Sequence, residues 1–378
     1  MNDLILDSSI YELFSKAIDK HDDFLIKRYA DYIGTDRWSI ICSTKDWLHV
    51  AVYGLPHIDL HHESDDARSL NVIQMLMAFD LVVQAIQQLY RVFERQYPYK
   101  EDRSIFEQNV SDDKFFKQIR ACFAAHPVNL DSKDGTKNKD GEKYFASWSS
   151  DRVGNGDYSV YLYSNKPSSL PIRFSISLMK ILDYTKKRYL LLNNLISFIE
   201  QEEKQEHFQL QKRMIKRNDD PVQQLLILQQ ENQERLGREG SGGYSYEITT
   251  MLDLFYAPKD FPNDVQEVCE EYLRTLSLVI EDIYWNLQNM IFEDLPNGRL
   301  LHPEIFIENL FYSISKVFEY IHHSTQHNRA LLGHHLKRLI DKGVLPPLAE
   351  HHMNKSDLHL LLLVGLVRNT PTRIKAEN

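Results

Sequence analysis

Cysteine is scarce in this chain. Its 378 residues include three, Cys42, Cys122 and Cys269, odd in number and far apart. That count excludes a disulfide framework and offers no paired metal-ligand spacing. Turn residues are also thin, with 14 Gly and 13 Pro, which disfavours a many-stranded sandwich or barrel. The most apolar run, Leu358 to Val367, is roughly half of what a membrane span needs and reads as a buried helix. An excess of positive charge is missing as well: the formal net charge is −10. Long-range steering onto a polyanion is therefore excluded, and any nucleic-acid contact must rest on basic groups gathered locally. The opening MNDLILDSSIYELF lacks the basic-then-apolar build of a signal peptide. With the unpaired cysteines, it leads us to expect a soluble cytoplasmic protein with no membrane segment.

What is present is a globular mix, 43% hydrophobic and 26% charged, patterned mainly at helical period. Apolar residues at helical spacing predict helices over Ser8–Tyr32, Ser39–His49 and Ala67–Tyr97, the last stopped by Pro98. Ser111 is placed to cap the next helix, DDKFFKQIRACF. A polar, glycine-dotted loop over Asp131–Glu142 follows. Then Tyr144–Ser149 and Tyr158–Tyr163 read as a β-hairpin turning at Asn155-Gly156, with a third short strand at Ile172–Ile176. A long helix over Leu178–Ile199 comes next. Pro221 breaks the charged stretch after it. Helices over Val222–Leu236, Glu247–Tyr256, Val265–Glu293, Pro303–Ile340 and Ser356–Leu366 then form an array. The expected fold is mostly all-α. Residues 1–205 form a helical bundle with a small β-hairpin insertion near 143–164. Residues 206–378 form a C-terminal helical array with a flexible linker near 237–243, where GREGSGG lies.

Two basic groupings could supply a local phosphate surface: Lys186, Lys187 and Arg188, and the run Lys212, Arg213, Lys216 and Arg217. Both read equally as solvated helix faces. His57, Asp59, His61, His62 and Glu63 lie close together in a loop, in side-chain types that metals accept, but at no known zinc spacing. His323 and His327 stand one turn apart without the glutamate of a metalloprotease helix. GREGSGG lacks the Lys-Ser/Thr of a phosphate-binding loop, and no serine-nucleophile elbow is present. These observations predict no cofactor and no metal.

The stretch that carries chemistry is Asp112 to Leu130, DDKFFKQIRACFAAHPVNL. Arg120 falls about 100° from the centre of the apolar face made by Phe115, Phe116, Ile119, Cys122 and Phe123, at the rim of a packed surface. Six residues on, His126 precedes Pro127, which disfavours helix at that point, so His126 stands at a helix end. Arginine holds a phosphate with a forked, permanent charge, and histidine moves a proton near neutral pH. The same spacing recurs with Arg329 and His334 or His335, but inside a continuous helical pattern.

This arrangement resembles the HEPN superfamily (higher eukaryotes and prokaryotes nucleotide-binding domain) over Ser8 to about Glu200. Its members are helical bundles with an arginine-to-histidine motif at the start or end of a late helix. The resemblance implies that Arg120 and His126 are catalytic and that the chain is a metal-independent RNA endonuclease. It further implies a homodimer in which two motifs meet, a regulatory protein partner, and a toxin–antitoxin or phage-defence setting. Where active members commonly follow the arginine with a polar residue, this chain has Ala121. That departure keeps a second reading open, a non-catalytic protein-interaction module with a degenerate HEPN-like domain.

Overall fold

A computed structural model of the chain describes residues 5–30, 34–124, 142–154, 157–236, 242–291, 293–303, 309–323 and 326–369; the side chains of 149–154, 157 and 326–330 are left out of that description. The chain divides into two compact units, Met1–Lys204 and Gln205–Asn378. Both are mainly helical, and the described strands all belong to the first.

In the first unit the expected Ser8–Tyr32 helix is two helices, α1 (Ser8–Lys20) and α2 (Asp22–Tyr29). Asp7 caps α1 by accepting the Ser9 N–H at 3.0 Å. The break falls at His21, which leaves helical geometry at φ −108° and has Nδ1 2.6 Å from Glu203 Oε2. Helix α3 (Arg37–Gly54) starts on an Asp36 cap that accepts from Trp38 and Ser39. Helix α4 (Asp65–Val92) is the spine of the unit. Val72, Met75, Leu76, Phe79, Val82, Val83, Ile86 and Leu89 along it are all buried. It ends five residues earlier than Tyr97, because Glu94 turns left-handed at φ 54°. By length and composition α4 could also cross a membrane, but half of its apolar window is buried in the unit's own core. No other described helix passes that test.

Helix α5 (Asp112–Phe123) buries Phe116, Ile119, Cys122 and Phe123. Three antiparallel strands follow, β1 (Tyr144–Gly154), β2 (Asp157–Ser164) and β3 (Ile172–Ser177), in the order β1-β2-β3. The proposed turn at Asn155-Gly156 lies outside the described residues. Alternation gives the sheet two faces. Tyr158, Val160, Leu162 and Ile176 are buried on the inner face, where Trp148 meets the Phe123 ring edge-on at 5.4 Å and Phe174 lies tilted against it at 6.1 Å. The sheet therefore packs on the helix that carries Arg120. Beyond it, the single helix expected over Leu178–Ile199 is instead α6 (Leu178–Tyr189) and α7 (Leu191–Lys212). Tyr189 closes α6 with its hydroxyl donating to the Asp7 carbonyl at 2.9 Å and accepting the Tyr11 N–H at 3.0 Å.

The second unit contains α8 (Pro221–Leu236), α9 (Ser245–Phe255), α10 (Asn263–Thr275), α11 (Ser277–Asn289), α12 (Phe311–His322), α13 (Gln326–Asp341) and α14 (Lys355–Asn369). Two expected long helices are each interrupted. Val265–Glu293 divides at Leu276, and Pro303–Ile340 yields α12 and α13. Helix α14 is buried from Asp357 to Gly365 without interruption, as a central helix is. A methyl group at Gly365 would sit 1.7 Å from the Val344 carbonyl, so only glycine fits there. In the stretch expected to be a linker, Gly242 and Gly243 are described. The Gly242 carbonyl accepts from Asn232 and Ser245, and Gly243 lies against Leu236 and Asn232. Residues 237–241 lie outside the described set.

Candidate active site

Helix α5 is held at both ends by charge. At its N-terminus Asp112 is fully buried and accepts the N–H groups of Ile105 and Phe106 at 3.1 and 3.0 Å, folding the preceding turn onto the helix. Its neighbour Asp113 accepts from three side chains on two helices. Arg188 Nε of α6 donates at 2.7 Å, the Tyr184 hydroxyl at 2.9 Å, and Gln87 Nε2 of α4 at 3.1 Å.

Arg188 has no exposed surface, and its guanidinium lies 3.8 Å from the centre of the Tyr184 ring. Burial alone would favour its neutral form. Tyr184 and Asp113 outweigh that and raise its pKa above the usual guanidinium value. Burial raises the phenols of Tyr184 and Tyr97 well above the ordinary range.

At the other end of α5, Arg120 forms an ion pair through Nη1 with Asp80 Oδ2 of α4. The Arg120 side chain is 34% exposed and that of Asp80 7%. Asp80 Oδ1 is buried with no hydrogen-bond partner among the described residues. Guanidinium carries five N–H donors, so pairing through one terminal nitrogen leaves donors for a phosphate oxygen. The Ala124 N–H closes the helix on the Arg120 carbonyl at 2.8 Å. His126 lies outside the described residues, two positions beyond that closing residue.

The remaining candidates fare differently. Arg188 is a core residue and corrects the expectation of a solvated basic face with Lys186 and Lys187. A permanent charge in α6 at the spacing of buried neighbours had to find a carboxylate inside. Lys187 turns to Asp102 at 2.8 Å. In the second run, Arg213 pairs with Glu231 and Glu234, and Arg217 with Glu281 at 2.6 Å. Those arginines are engaged by the unit's own carboxylates. Cys122 is buried and its thiol pushed up to about 12, which removes it as a nucleophile.

The His57–Glu63 loop is exposed and organised by its own turns, with Asp59 accepting the His61 N–H at 2.8 Å. Among the described residues no group of three or more His, Cys, Asp or Glu is placed to hold a metal ion. His335 is buried, its Nδ1 3.3 Å from Ser313 Oγ, and burial lowers its pKa. The side chains of Arg329 and His327 are outside the description.

Asp80 went unnoticed in the sequence, although an acid inside the apolar stripe of α4 signals a buried partner. A polar cleft of about 400 Å³ is lined in the second unit by Glu247, Arg299 and His302. His302 Nε2 stands 3.4 Å from Glu247 Oε1. Burial pushes the Glu247 carboxyl up, but the hydrogen bond with His302 outweighs it and holds the pKa below the usual value.

No family model, curated protein or solved structure matches the chain. The functional reading therefore rests on the geometry of α5 and on the sequence that follows it.

Proposed function

We propose that the chain is a metal-independent RNA endonuclease of HEPN type, acting as a homodimer with Arg120 and His126 as its catalytic pair. The observation that carries this reading is the position of Arg120. It stands in the last turn of a packed helix, fixed by Asp80 and still one-third exposed, with His126 six residues on. In the reaction His126 takes the proton from a ribose 2′-hydroxyl. The freed oxygen attacks the adjacent phosphorus, the P–O5′ bond breaks, and the leaving 5′-oxygen takes a proton from water while the His126 imidazolium returns its proton to solvent. Arg120 holds the phosphate as its charge builds. The requirement for the 2′-hydroxyl makes the substrate RNA. A toxin or phage-defence setting with a regulatory protein partner accompanies this reading.

The homodimer is supported by an uncovered face. Trp47 and Val50 of α3 and Leu70 and Met77 of α4 are exposed, and a groove of about 430 Å³ between the two helices has no charged residue in its walls. Apolar, charge-free cores mark protein interfaces. Helix geometry puts Asp80 about 60° around α4 from Met77, so the Arg120–Asp80 pair borders this face. Two copies meeting here would bring their arginines towards one another.

The test is cleavage of single-stranded RNA by the full chain in chelator, with His126→Ala as the comparison. A second reading, a non-catalytic interaction module, is favoured by Ala121 and by the structural role that Asp80 gives Arg120. It predicts no cleavage and a bound protein on the same face.

A further inference from the structure

The polar cleft of the second unit holds charges of both signs that do not meet. Glu247, Glu293, Asp294, Arg299 and His302 all line it. Apart from the contact of Glu247 with His302, none of these side chains has an ion-pair partner among the described residues. Carboxylates and a guanidinium only a few residues apart ordinarily close on one another. Here the two stretches of backbone that carry them are both strapped to α11. The Tyr244 hydroxyl donates to the Glu293 carbonyl at 2.9 Å and accepts from Asn286 Nδ2 at 2.7 Å. Just before Arg299, Asn297 donates its N–H and its side-chain amide to Asp282 at 2.8 and 3.0 Å.

Glu247 is the enclosed member of the set. Its side chain is 19% exposed, and Oε2 is buried with no hydrogen-bond partner among the described residues. Its one side-chain contact, to His302 Nε2 at 3.4 Å, is long for a hydrogen bond. An enclosed carboxylate with so few donors calls for a cation. Among the described residues no set of ligands is arranged for a metal ion, so the cation that fits is an organic one. The Tyr246 ring stacks on the His302 imidazole at 5.4 Å and 23°, which holds that ring in place at the cleft.

We propose that this cleft binds a basic α-amino acid of the lysine type. The α-carboxylate lies in the fork of Arg299, and the two ammonium groups meet the carboxylates of Glu247, Glu293 and Asp294. Three acids against one guanidinium leave an excess of negative charge. A neutral amino acid does not reduce that excess, and a side-chain ammonium does. A cleft of about 400 Å³ is of the size that small-molecule sites have. Because the backbone around it is fixed before the ligand arrives, little ordering is lost on binding. The proposal is independent of the RNA chemistry assigned to the first unit.

The test is calorimetric titration of the full chain at neutral pH with L-lysine, with cadaverine, which is lysine without its carboxylate, and with norleucine, which is lysine without its side-chain ammonium. Lysine should bind with a Kd below about 1 mM. Cadaverine and norleucine should each bind at least about 10-fold more weakly, since each lacks one charge-assisted contact. Arg299→Met should weaken lysine by about 10-fold or more and leave cadaverine unchanged. Glu247→Gln should weaken both. Arg299 is exposed and unpaired among the described residues, so Arg299→Met should melt like the parent and decides the matter even where Glu247→Gln fails to fold. Absence of lysine binding up to about 10 mM overturns the site. So does Arg299→Met protein that binds lysine like the parent, or cadaverine that binds as tightly as lysine. Norleucine that binds as tightly as lysine overturns the basic side chain.

Discussion

Arg120 and Asp80 form an ion pair that joins α5 to α4, and the two partners are buried unequally. The acid is enclosed while a third of the arginine side chain faces outwards. One residue thus has two roles, balancing a buried carboxylate and presenting a cation at the end of a helix.

That double role gives the first prediction. Arg120→Ala leaves Asp80 without a partner and should cost about 1–3 kcal/mol of stability, less than a fully buried pair because Arg120 is partly exposed. Arg120→Lys keeps the charge and should cost less than about 1 kcal/mol, yet lose about 10-fold or more of RNA cleavage, because lysine lacks the fork. Urea unfolding and an initial-rate assay on both variants check this. Equal activity of Arg120→Lys and the parent would make the arginine purely structural.

The core position of Arg188 gives the second. Arg188→Met strands Asp113 in the interior and should cost about 3–5 kcal/mol. A solvated surface arginine would cost within about 0.5 kcal/mol. Pairing Arg188→Met with Asp113→Leu should recover much of the loss, since Asp113 is no longer left as an unpaired charge and Asp102 keeps Lys187. Thermal melts of the two variants separate the cases.

Acid sensitivity of the second unit follows from His359. It is buried against Phe318 and His322, and burial, aided by the nearby His322, lowers its pKa to about 4. The unfolded chain binds that proton near pH 6.5, so the unfolded state carries more protons between these values. Stability is therefore fully present above about pH 6.5 and falls as pH drops towards 4, by up to about 3 kcal/mol. His322, lowered first by burial, adds in the same direction. Melting curves between pH 7 and 4 should show the loss, and His359→Phe should flatten it. A pH-independent melt of the parent over that window would contradict the burial of His359.

The uncovered α3–α4 face gives the fourth prediction. Light scattering should return the mass of two chains, and Trp47→Glu with Met77→Glu should return one, because two charges at the centre of an apolar contact cannot be desolvated. The double variant should keep its helical circular dichroism and lose RNA cleavage. Cleavage by a monomer would detach the dimer from the chemistry.

Helices were the legible part of the sequence. The stripes of α4, α5 and α6 and the three strands could be read from periodicity, because packing repeats with the helix or strand; Ser111 stands at the N-cap position of α5, but its buried hydroxyl makes no capping hydrogen bond. Interruptions were not legible. His21, Leu190 and Leu276 carry no proline or glycine, and the contacts seen at the first two come from distant residues, Glu203 at His21 and Asp7 at Tyr189. Arg120 could be singled out by its place at the rim of an apolar face. Asp80, an acid inside the apolar stripe of α4, signals that it has a buried partner, but with the partner 40 residues away nothing local says that it is Arg120. Arg188 was misread for the complementary reason. Two flanking lysines made it look like a solvated run, whereas its spacing from Tyr184 and Leu192 was that of the core.

The central claim is tested most directly by incubating purified full-length protein with single-stranded RNA in excess EDTA and analysing the ends produced. The account predicts cleavage without metal, products ending in a 2′,3′-cyclic phosphate, no cleavage of the deoxy analogue, and a loss of about 10²–10⁴-fold in rate for folded His126→Ala. Intact RNA after prolonged incubation with the folded dimer, or parental cleavage by His126→Ala, would contradict it.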